Sequence, residues 1–550
     1  MSEQVAVHLT KRDTGLEKGE PGWGAGPAKV IIGKDVLELL STSMYVEPLN
    51  VYREYIQNAA DAIDEARAKK ILSTRSSGRV DVEINAVARS VKIRDNGTGI
   101  PWTQFVERIS NLGASTKRGT SARGFRGVGR LAGLGYCQEL FFRSRTEDED
   151  AISELRWDCR KLKAVLREGG NQSQLSELIK ELVSVRKVPV RSGSPRFFEV
   201  EMRGVIRHRD DRLLNPTAVA NYRSQVAPVP FSPGFRFGER ISEALEQRVR
   251  LGQLEIYINA QEQPLYRPHA NRIELGKSVY DKYFDLELHE IPGVDGNAAA
   301  IVWVLQHGYY GALPNAALIK GLRFRIGNIQ VGDNILLEEF FPEPRFNAWA
   351  VGEIHILDNR VVPNGRRDHF EQNIHFDNVL NHLGPIIRDI SHRCRQSSIQ
   401  RKWLRDFELH KVAAVENARA TRRRGVSKSA RGAYSRAATK ALEAMEKIAG
   451  LRHLEEDARA KFFAEIKSTK MSVSKLLSGA LNRGDPLGRF KPQAQAAYRQ
   501  VIQLIYECAS NGVAAQRLVD KILDRIESGA KNREESPPKV KSASVHKKHA

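Results

Sequence analysis

The stretch VYREYIQNAADAIDEA, Val51–Ala66, decides the fold of the N-terminal half. Its apolar residues recur at helical spacing and form one stripe: Tyr52, Ile56, Ala59 and Ile63. Glu54, Asn58 and Asp61 form a second stripe, because residues i, i+4 and i+7 of a helix lie on the same side. The pattern predicts a helix with a core face and an acid–amide face. Taken alone, it also fits a surface helix whose polar side chains are solvated.

The bulk composition bounds the class of protein. A chain of 550 residues predicts about three or four domains. No apolar run is long enough for a membrane span, and the N-terminus lacks the apolar region of a signal peptide. The four cysteines are scattered and form no CxxC pair, which argues against a disulfide framework or a structural zinc site. We therefore expect a cytoplasmic protein without a membrane contact.

The net charge of +21 is unevenly distributed. Residues 391–550 carry 34 Lys+Arg against 16 Asp+Glu, an excess of 18 positive charges. The densest cluster, RATRRRGVSKSARGAYSR (Arg419–Arg436), predicts an exposed linker or a basic patch. Such a charge can serve nucleic acid, an acidic partner or only solubility.

Composition and pattern divide the chain into five segments. We expect a flexible arm at 1–28, an α+β domain at 29–235, a second α+β domain at 240–390, a basic helical domain at 391–530 and a disordered tail at 531–550. In the first domain, two strands are predicted at Val80–Asn85 and Ser90–Asp95, and Lys161–Arg186 has a helical pattern. The stretch QLEIYIN, Gln253–Asn259, is predicted as a strand of the second domain.

Two glycine-rich segments follow the opening helix. In RDNGTGIP, Arg94–Pro101, Asp95 ends a strand before Gly97 and Gly99, so a carboxylate is held where the backbone can approach a ligand. Such a carboxylate can accept a hydrogen bond from an exocyclic amine such as that of adenine. Either segment alone is a weak signal, since many turns are rich in glycine.

The second segment runs from Ile109 to Cys137 and carries Lys117 and several glycines before a helix. Its candidate phosphate-binding glycines are Gly124, Gly127 and Gly129. Glycine-rich turns at helix N-termini present free N–H groups to phosphates.

The order of these segments resembles that of the GHKL ATPases, which include DNA gyrase, MutL, histidine kinases and the 90-kDa heat-shock chaperones. The chaperone family is the most similar. Three of its motifs have counterparts here. REYIQNAADAID corresponds to the chaperone R-E-L-I-S-N-x-S-D-A-L-D, and SNLGASTKRGT corresponds to N-N-L-G-T-I-A-K-S-G-T. GFRGVG corresponds to G-Q-F-G-V-G. A fourth block, LDNRVVPNGRRDHFEQN (Leu357–Asn373), resembles the chaperone middle-domain loop and places Arg367 on its arginine.

The resemblance implies an α+β fold class: a Bergerat-type ATPase α/β sandwich, a middle domain of ribosomal-S5-like type and a helical, basic C-terminal region. It implies ATP hydrolysis with ATP and Mg²⁺ as cofactors. Glu54 would be the general base, Asn58 the Mg²⁺ ligand and Arg367 the group that reaches the γ-phosphate. The remaining implied ATP-binding residues are Asp61, Asp95, Gly97, Gly99, Asn111, Lys117, Gly124, Gly127 and Gly129.

The function implied is an ATP-driven clamp that acts on client proteins as a homodimer. The alternative is a MutL- or MORC-like ATPase that meets nucleic acid through the basic C-terminal region. This chain departs from the chaperone pattern at three places. The segment between Thr120 and Gly124 is shorter than the chaperone lid, Arg130 replaces an aromatic residue, and Ser194 is the candidate substitute for a threonine on the adenine side.

Overall fold

Helix α1, Asn50–Ala68, forms where the opening stretch predicts it. The computed structural model describes residues 47–73, 77–111, 129–167, 175–190, 193–207, 210–249, 251–276, 279–451, 454, 456–480, 484–509 and 511–534. The apolar stripe of α1 is buried, with Tyr52 and Ile63 fully covered. Glu54 and Asp61 are buried as well, so the acid–amide face is not a solvated surface.

A seven-stranded sheet with order β5-β4-β3-β6-β2-β1-β7 forms the first layer. Its strands are β1 Arg79–Asn85, β2 Ser90–Asp95, β3 Glu139–Arg145, β4 Ala151–Asp158, β5 Val183–Pro189, β6 Phe197–Arg203 and β7 Glu255–Ile258. Neighbours are antiparallel except β1 and β7. The second layer consists of helices: α1, α2 Trp102–Ser110, α3 Cys159–Arg167, α4 Leu175–Leu182 and α5 Pro216–Val226. Residues of both layers share one hydrophobic core.

Two local predictions are corrected by this sheet. Residues 183–186, expected to be helical, belong to β5, because they pair with β4. Strand β7, expected in the second domain, pairs in parallel with β1 of the first sheet through Arg79↔Glu255 and the next three positions. The chain therefore returns to the first sheet beyond residue 235, where the first domain was expected to end.

A second sheet of five strands has the order β10-β11-β14-β12-β13. Its strands are β10 Asp285–Pro292, β11 Ala298–Gln306, β12 Gly321–Ile326, β13 Ile329–Val331 and β14 Val351–Ile356, and β8 Arg272–Gly276 pairs separately with β9 Val279–Lys282. Helix α6 spans Gly238–Glu246, and its buried residues share a core with β11. The α+β fold class is confirmed, with a two-layer sandwich of sheet and helices followed by a second sheet.

The C-terminal part is helical. Its helices are α7 Ile374–Ala420, α8 Lys428–Ala449, α9 Glu456–Leu477, α10 Pro492–Cys508 and α11 Gly512–Glu534. Two compact units are present in the described residues: the chain up to His307 with Leu313–Pro385, and Gly308–Ala312 with Ile386 onward. No helix in the described ranges is both long and apolar enough to cross a membrane.

Candidate active site

The Glu54 carboxylate is held between α1 and the glycine that begins the next short helix. Gly129 opens a 3₁₀ turn, Gly129–Leu131, and lies against Glu54. A Cβ at Gly129 would stand 2.1 Å from Glu54 Oε2, closer than any side chain allows. Only glycine fits here without moving the carboxylate. The glycine segment thus supports the position of Glu54 in addition to any role toward phosphate.

Arg367 approaches this carboxylate from the loop after β14. Its Nε lies 3.6 Å from Glu54 Oε1, and both side chains are largely buried. The sequence separates them by more than three hundred positions, yet the first compact unit brings them together. Arg367 has a φ of +57°, a conformation that non-glycine residues adopt only when their surroundings impose it.

Arg53 supplies part of that constraint. Its Nη2 donates to the carbonyl of Arg366 at 2.8 Å, and its Nη1 donates to the carbonyl of Arg367 at 3.3 Å. The N–H of Gly332 donates to the Arg367 carbonyl as well, at 2.9 Å. Arg53 therefore fastens the loop that carries Arg367 directly beside Glu54. Sequence reasoning did not single out Arg53, because the local pattern gives no reason to expect anything but a solvated side chain at that position.

Asp95 ends β2 beneath the opposite half of α1. Its Oδ1 accepts the Gly97 N–H at 2.9 Å, and the side chain is 5% exposed. Burial raises the pKa of Asp95 to about 7, although the Gly97 N–H and Arg94 act in the other direction. A carboxyl that titrates near neutral pH in a buried turn is typical of a functional position.

The two glycines after Asp95 are required by close packing. A Cβ at Gly97 would meet the Cβ of Ala62 on α1 at 2.7 Å. Gly99 has a φ of +67°, and a Cβ there would meet the Arg145 carbonyl at 2.5 Å. The N–H of Thr98 donates to the Ala62 carbonyl at 3.3 Å. The turn is therefore locked onto the helix that carries Glu54.

The other predicted site residues are placed as follows. Asn58 is partly exposed on α1, one turn after Glu54, and Asp61 is buried one turn further. Asn111 caps the C-terminus of α2, where it is exposed and its Nδ2 lies 3.4 Å from Glu107 Oε1. Lys117, Gly124 and Gly127 lie outside the described residues.

The departures from the chaperone pattern have structural consequences. Arg130 is largely buried and donates through Nε to the Ile109 carbonyl at 3.1 Å, while burial and Arg108 lower its pKa to about 10. Tyr55 braces the same turn, because its hydroxyl accepts the Gly133 N–H at 2.9 Å. At Ser194, the backbone carbonyl accepts a hydrogen bond from Arg145. Phe198 of β6 is the residue opposite Asp95 in the sheet.

The densest basic cluster is not an exposed linker. Arg422 Nε donates to the Leu476 carbonyl at 2.6 Å, at the C-terminus of α9. Arg423 stacks over Tyr506 at 4.6 Å, and Arg424 pairs with Asp524 at 2.7 Å. Flanking residues are helical, since α7 ends at Ala420 and α8 begins at Lys428. These three arginines therefore make contacts between helices, and all three remain partly exposed.

Comparison with known proteins agrees with this geometry. Residues 46–183 match the family described as histidine kinase-, DNA gyrase B- and HSP90-like ATPase. The matched range contains α1, the Asp95 turn and the Gly129 turn.

Relatives match over short ranges. The chain is 34% identical over 92 residues to the chaperone protein HtpG of Legionella pneumophila, covering 16% of this chain and 14% of the relative. It is 35% identical over 126 residues to HtpG of Chlorobium chlorochromatii, covering 22% and 18%. It is 25% identical over 162 residues to HtpG of Polaromonas naphthalenivorans, covering 26% and 24%. The chain thus spans less than a quarter of the length of these relatives.

A solved structure of the ATPase region of Saccharomyces cerevisiae topoisomerase II is also similar. It has 11% identity and a TM-score of 0.36, and the match covers 63% of this chain and 84% of that chain. The family match and the arrangement of α1 with its two glycine turns lead to one conclusion: this chain contains an ATPase domain of the GHKL superfamily.

Proposed function

We propose that the chain is an ATP-hydrolysing clamp of the 90-kDa heat-shock type, in which the loop after β14 completes the catalytic site. The observation that carries the proposal is the approach of Arg367 Nε to Glu54 Oε1 at 3.6 Å. A cation and a carboxylate from distant parts of the chain meet at the acid–amide face of α1. Phosphoryl transfer to water needs a group that activates water and a cation that stabilises developing charge.

In the proposed mechanism, Glu54 orients the attacking water and removes its proton. It is suited to that role because Gly129 packs against its carboxylate. The Nε atoms of Arg367 and Arg53 lie 3.6 and 3.8 Å from Glu54 Oε1, which is close enough for attraction but longer than a hydrogen bond. When ATP is bound, Arg367 turns from Glu54 to the γ-phosphate, where it stabilises the charge that develops.

Asn58 is the residue that would hold Mg²⁺. Its amide is partly exposed one turn from Glu54, and one amide oxygen suits an ion that takes its other ligands from phosphates and water. The ion supplies neutralisation of phosphate charge. On the adenine side, Asp95 accepts from the exocyclic amine, and Gly97 and Gly99 let the ring approach the backbone. Asp61, Asn111, Lys117, Gly124 and Gly127 remain proposed nucleotide contacts.

Docking of the second sheet onto the ATPase sandwich is supported by further contacts. Arg323 of β12 donates to Gln225 Oε1 of α5 at 2.9 Å, and Arg325 donates to the Gln225 carbonyl. Such contacts must form or break when the two parts move. The rate of hydrolysis would therefore depend on whether the second sheet is docked, which couples the bound nucleotide to the conformation of the protein.

Client proteins are the proposed partners, and a homodimer is the proposed assembly. The sequence matches to HtpG support a chaperone role over the nucleic-acid alternative, whose most specific support was the Arg422–Arg424 cluster. The excess positive charge of residues 391–550 still favours that alternative as a second candidate.

One experiment separates the two candidates. Suppression of aggregation of a heat-denatured substrate protein is measured with ATP, for the full chain and for Glu54→Gln. ATP-dependent protection that the variant loses supports the clamp on clients. Absence of protection, together with duplex binding that weakens steeply between roughly 50 and 200 mM salt, would favour the nucleic-acid reading.

A further inference from the structure

Arg223 of α5 is a buried cation without a hydrogen-bonding partner among the described residues. It is 1% exposed, and its Nε, Nη1 and Nη2 all lack an acceptor there. The centroid of the Tyr52 ring lies 5.8 Å from the Arg223 Cζ, but the Tyr52 hydroxyl donates its hydrogen bond to the Leu213 carbonyl at 2.7 Å. Buried arginines in proteins are normally paired and hydrogen-bonded. This one is therefore an exception that needs a physical account.

The guanidinium stays charged despite its burial. Burial lowers the pKa of Arg223 to about 9, and Tyr52 is the ionisable group that acts on it. At neutral pH the side chain is still a cation. Removing a cation from water without a counter-charge costs on the order of several kcal/mol. A negative partner in the adjoining space would offset that cost.

A cavity adjoins this guanidinium. Its lining includes a second cation, Arg53, and Ile329 of β13, together with apolar side chains and Tyr222. None of the described residues that line it is a carboxylate, and the Tyr222 hydroxyl donates to Asn50 Oδ1 at 2.7 Å. The Nε of Arg53 likewise lacks a hydrogen bond within the described part of the chain, with Glu54 Oε1 at 3.8 Å.

The size of the cavity limits its occupant. Its volume is about 10 Å³, which is the space for the centre of one small sphere. A phosphate, a sulfate or an organic carboxylate is too large without rearrangement. A monatomic anion is only slightly larger than the water-sized sphere whose centre this space admits, and it carries the required charge.

We infer that this cavity binds one small inorganic anion, chloride in ordinary buffers, held between Arg223 and Arg53. The ion neutralises Arg223, whose three guanidinium nitrogens have no acceptor among the described residues, and it lies beside Arg53, whose Nε makes no hydrogen bond there. It also links the two parts of the unit, since Ile329 belongs to the second sheet and Arg223 to the ATPase helices. The Nη1 and Nη2 atoms of Arg53 donate to the carbonyls of Arg367 and Arg366. The ion therefore helps to orient the guanidinium that holds the Arg367 loop in place.

The test is thermal unfolding of the full chain at constant ionic strength, with potassium gluconate replaced stepwise by potassium chloride. A saturable rise in Tm of about 2–4 °C is expected, because a ligand bound only by the folded state stabilises it. Arg223→Met removes the cation while filling the space and should abolish the chloride-dependent shift. Arg89→Met is the matched control, since Arg89 is paired with Asp211 at 2.9 Å and should keep the shift.

A second measurement does not depend on the fold of the variant. Chloride-35 magnetic resonance of the unmodified protein should show line broadening that bromide competes away and gluconate does not. An unchanged Tm in chloride, an equal shift in Arg223→Met, or broadening without competition would each overturn the assignment and leave water or a carboxylate of the chain as the occupant. These readouts are independent of ATP turnover, so their failure would not bear on the proposed function.

Discussion

Helix α1 and the turn Thr421–Gly425 are both rich in charge, but the two regions treat charge in opposite ways. In α1, Glu54 is buried, and the nearest cations in the described part of the chain stand at 3.6 and 3.8 Å, longer than hydrogen bonds. In the turn, Arg422 and Arg424 make hydrogen bonds or ion pairs of 2.6 and 2.7 Å. The first region holds a buried carboxylate with these cations beyond hydrogen-bonding distance, whereas the second region engages its arginines in short contacts within the protein.

The difference shows how to separate a site from a scaffold. A buried charge whose partners stand slightly too far away is expensive, and proteins tolerate it where a ligand or a reaction repays the cost. A charge that is fully engaged by carbonyls, carboxylates or a ring stabilises the fold. Charge density alone does not distinguish these cases: it predicted an exposed linker or a basic patch at a turn whose arginines contact neighbouring helices.

The largest effect is expected at the carboxylate of α1. Glu54→Gln should retain nucleotide binding and lose roughly 10²–10⁴-fold in turnover, because the amide cannot accept the proton of water. Steady-state turnover and calorimetric affinity provide the comparison. Glu65→Gln on the same helix is the control, since Glu65 pairs with Lys69 on the surface. Turnover near that of the control in Glu54→Gln would remove Glu54 from the mechanism.

Gly129→Ala tests whether the carboxylate must be held in place. The added Cβ would collide with Glu54 Oε2, and a displacement of about 1 Å can cost on the order of 10²-fold in rate. Gly234→Ala is the matched control, because a Cβ there meets nothing within 4 Å. Equal turnover in the two alanine variants would show that Gly129 does not position the base.

Asp95 should release a proton when adenine nucleotide binds. Burial raises the pKa of the free carboxyl to about 7, and a donated hydrogen bond from the adenine amine favours the charged form. The pKa therefore falls on binding, and a proton leaves at pH values near or below about 7. Calorimetry of ADP binding at pH 6.5 in buffers of different ionisation enthalpy measures this release.

Asp95→Asn should lose both this linked proton and affinity, by roughly 10- to 100-fold, because a hydrogen bond to a charged group contributes about 1.5–3 kcal/mol. Asp81→Asn, at an exposed ion pair with Arg79, should retain both. The same proton release in Asp95→Asn would assign it to the nucleotide instead.

A smaller effect, on stability rather than activity, is expected in the C-terminal turn. Arg422→Ala leaves carbonyls at the end of α9 without a donor and should lower the free energy of unfolding by about 1–3 kcal/mol. Exposed Arg436→Ala should change it by less than about 0.5 kcal/mol. Urea unfolding monitored by circular dichroism compares them. Unchanged stability in Arg422→Ala, with loss of duplex binding in gel shifts, would restore the turn as a nucleic-acid surface.

Much of the fold followed from local pattern. Helix α1, β1 and β2 lie within two residues of their predicted bounds, because helical and alternating periodicities directly record which faces are buried. Strand β7 was placed with the wrong sheet, since its partner β1 lies about 175 positions earlier and no local signal encodes that pairing. Residues 183–186 continue a helical pattern in sequence, but pairing with β4 draws them into a strand.

The site was predictable in part. Motif order named Glu54, Asp95 and Arg367 as candidates, and the structure brings Arg367 beside Glu54 and buries Asp95. Motif order did not identify Arg53 or Arg223, whose importance depends on which acceptors surround them in the folded chain. The sequence gives the residue type, but it does not show whether an arginine side chain is solvated, paired with an acceptor or buried beside a cavity.

The most direct test of the account is the turnover of Arg367→Ala beside that of Arg366→Ala. The two arginines are neighbours, but only the Arg367 side chain reaches Glu54, while Arg366 is exposed and is contacted through its carbonyl. The account predicts that Arg367→Ala lowers kcat at least about tenfold with unchanged nucleotide affinity, as expected for a contact made in the transition state. Arg366→Ala should retain kcat. Equal kcat in the two variants and the parent would contradict the claim that the loop after β14 completes the catalytic site.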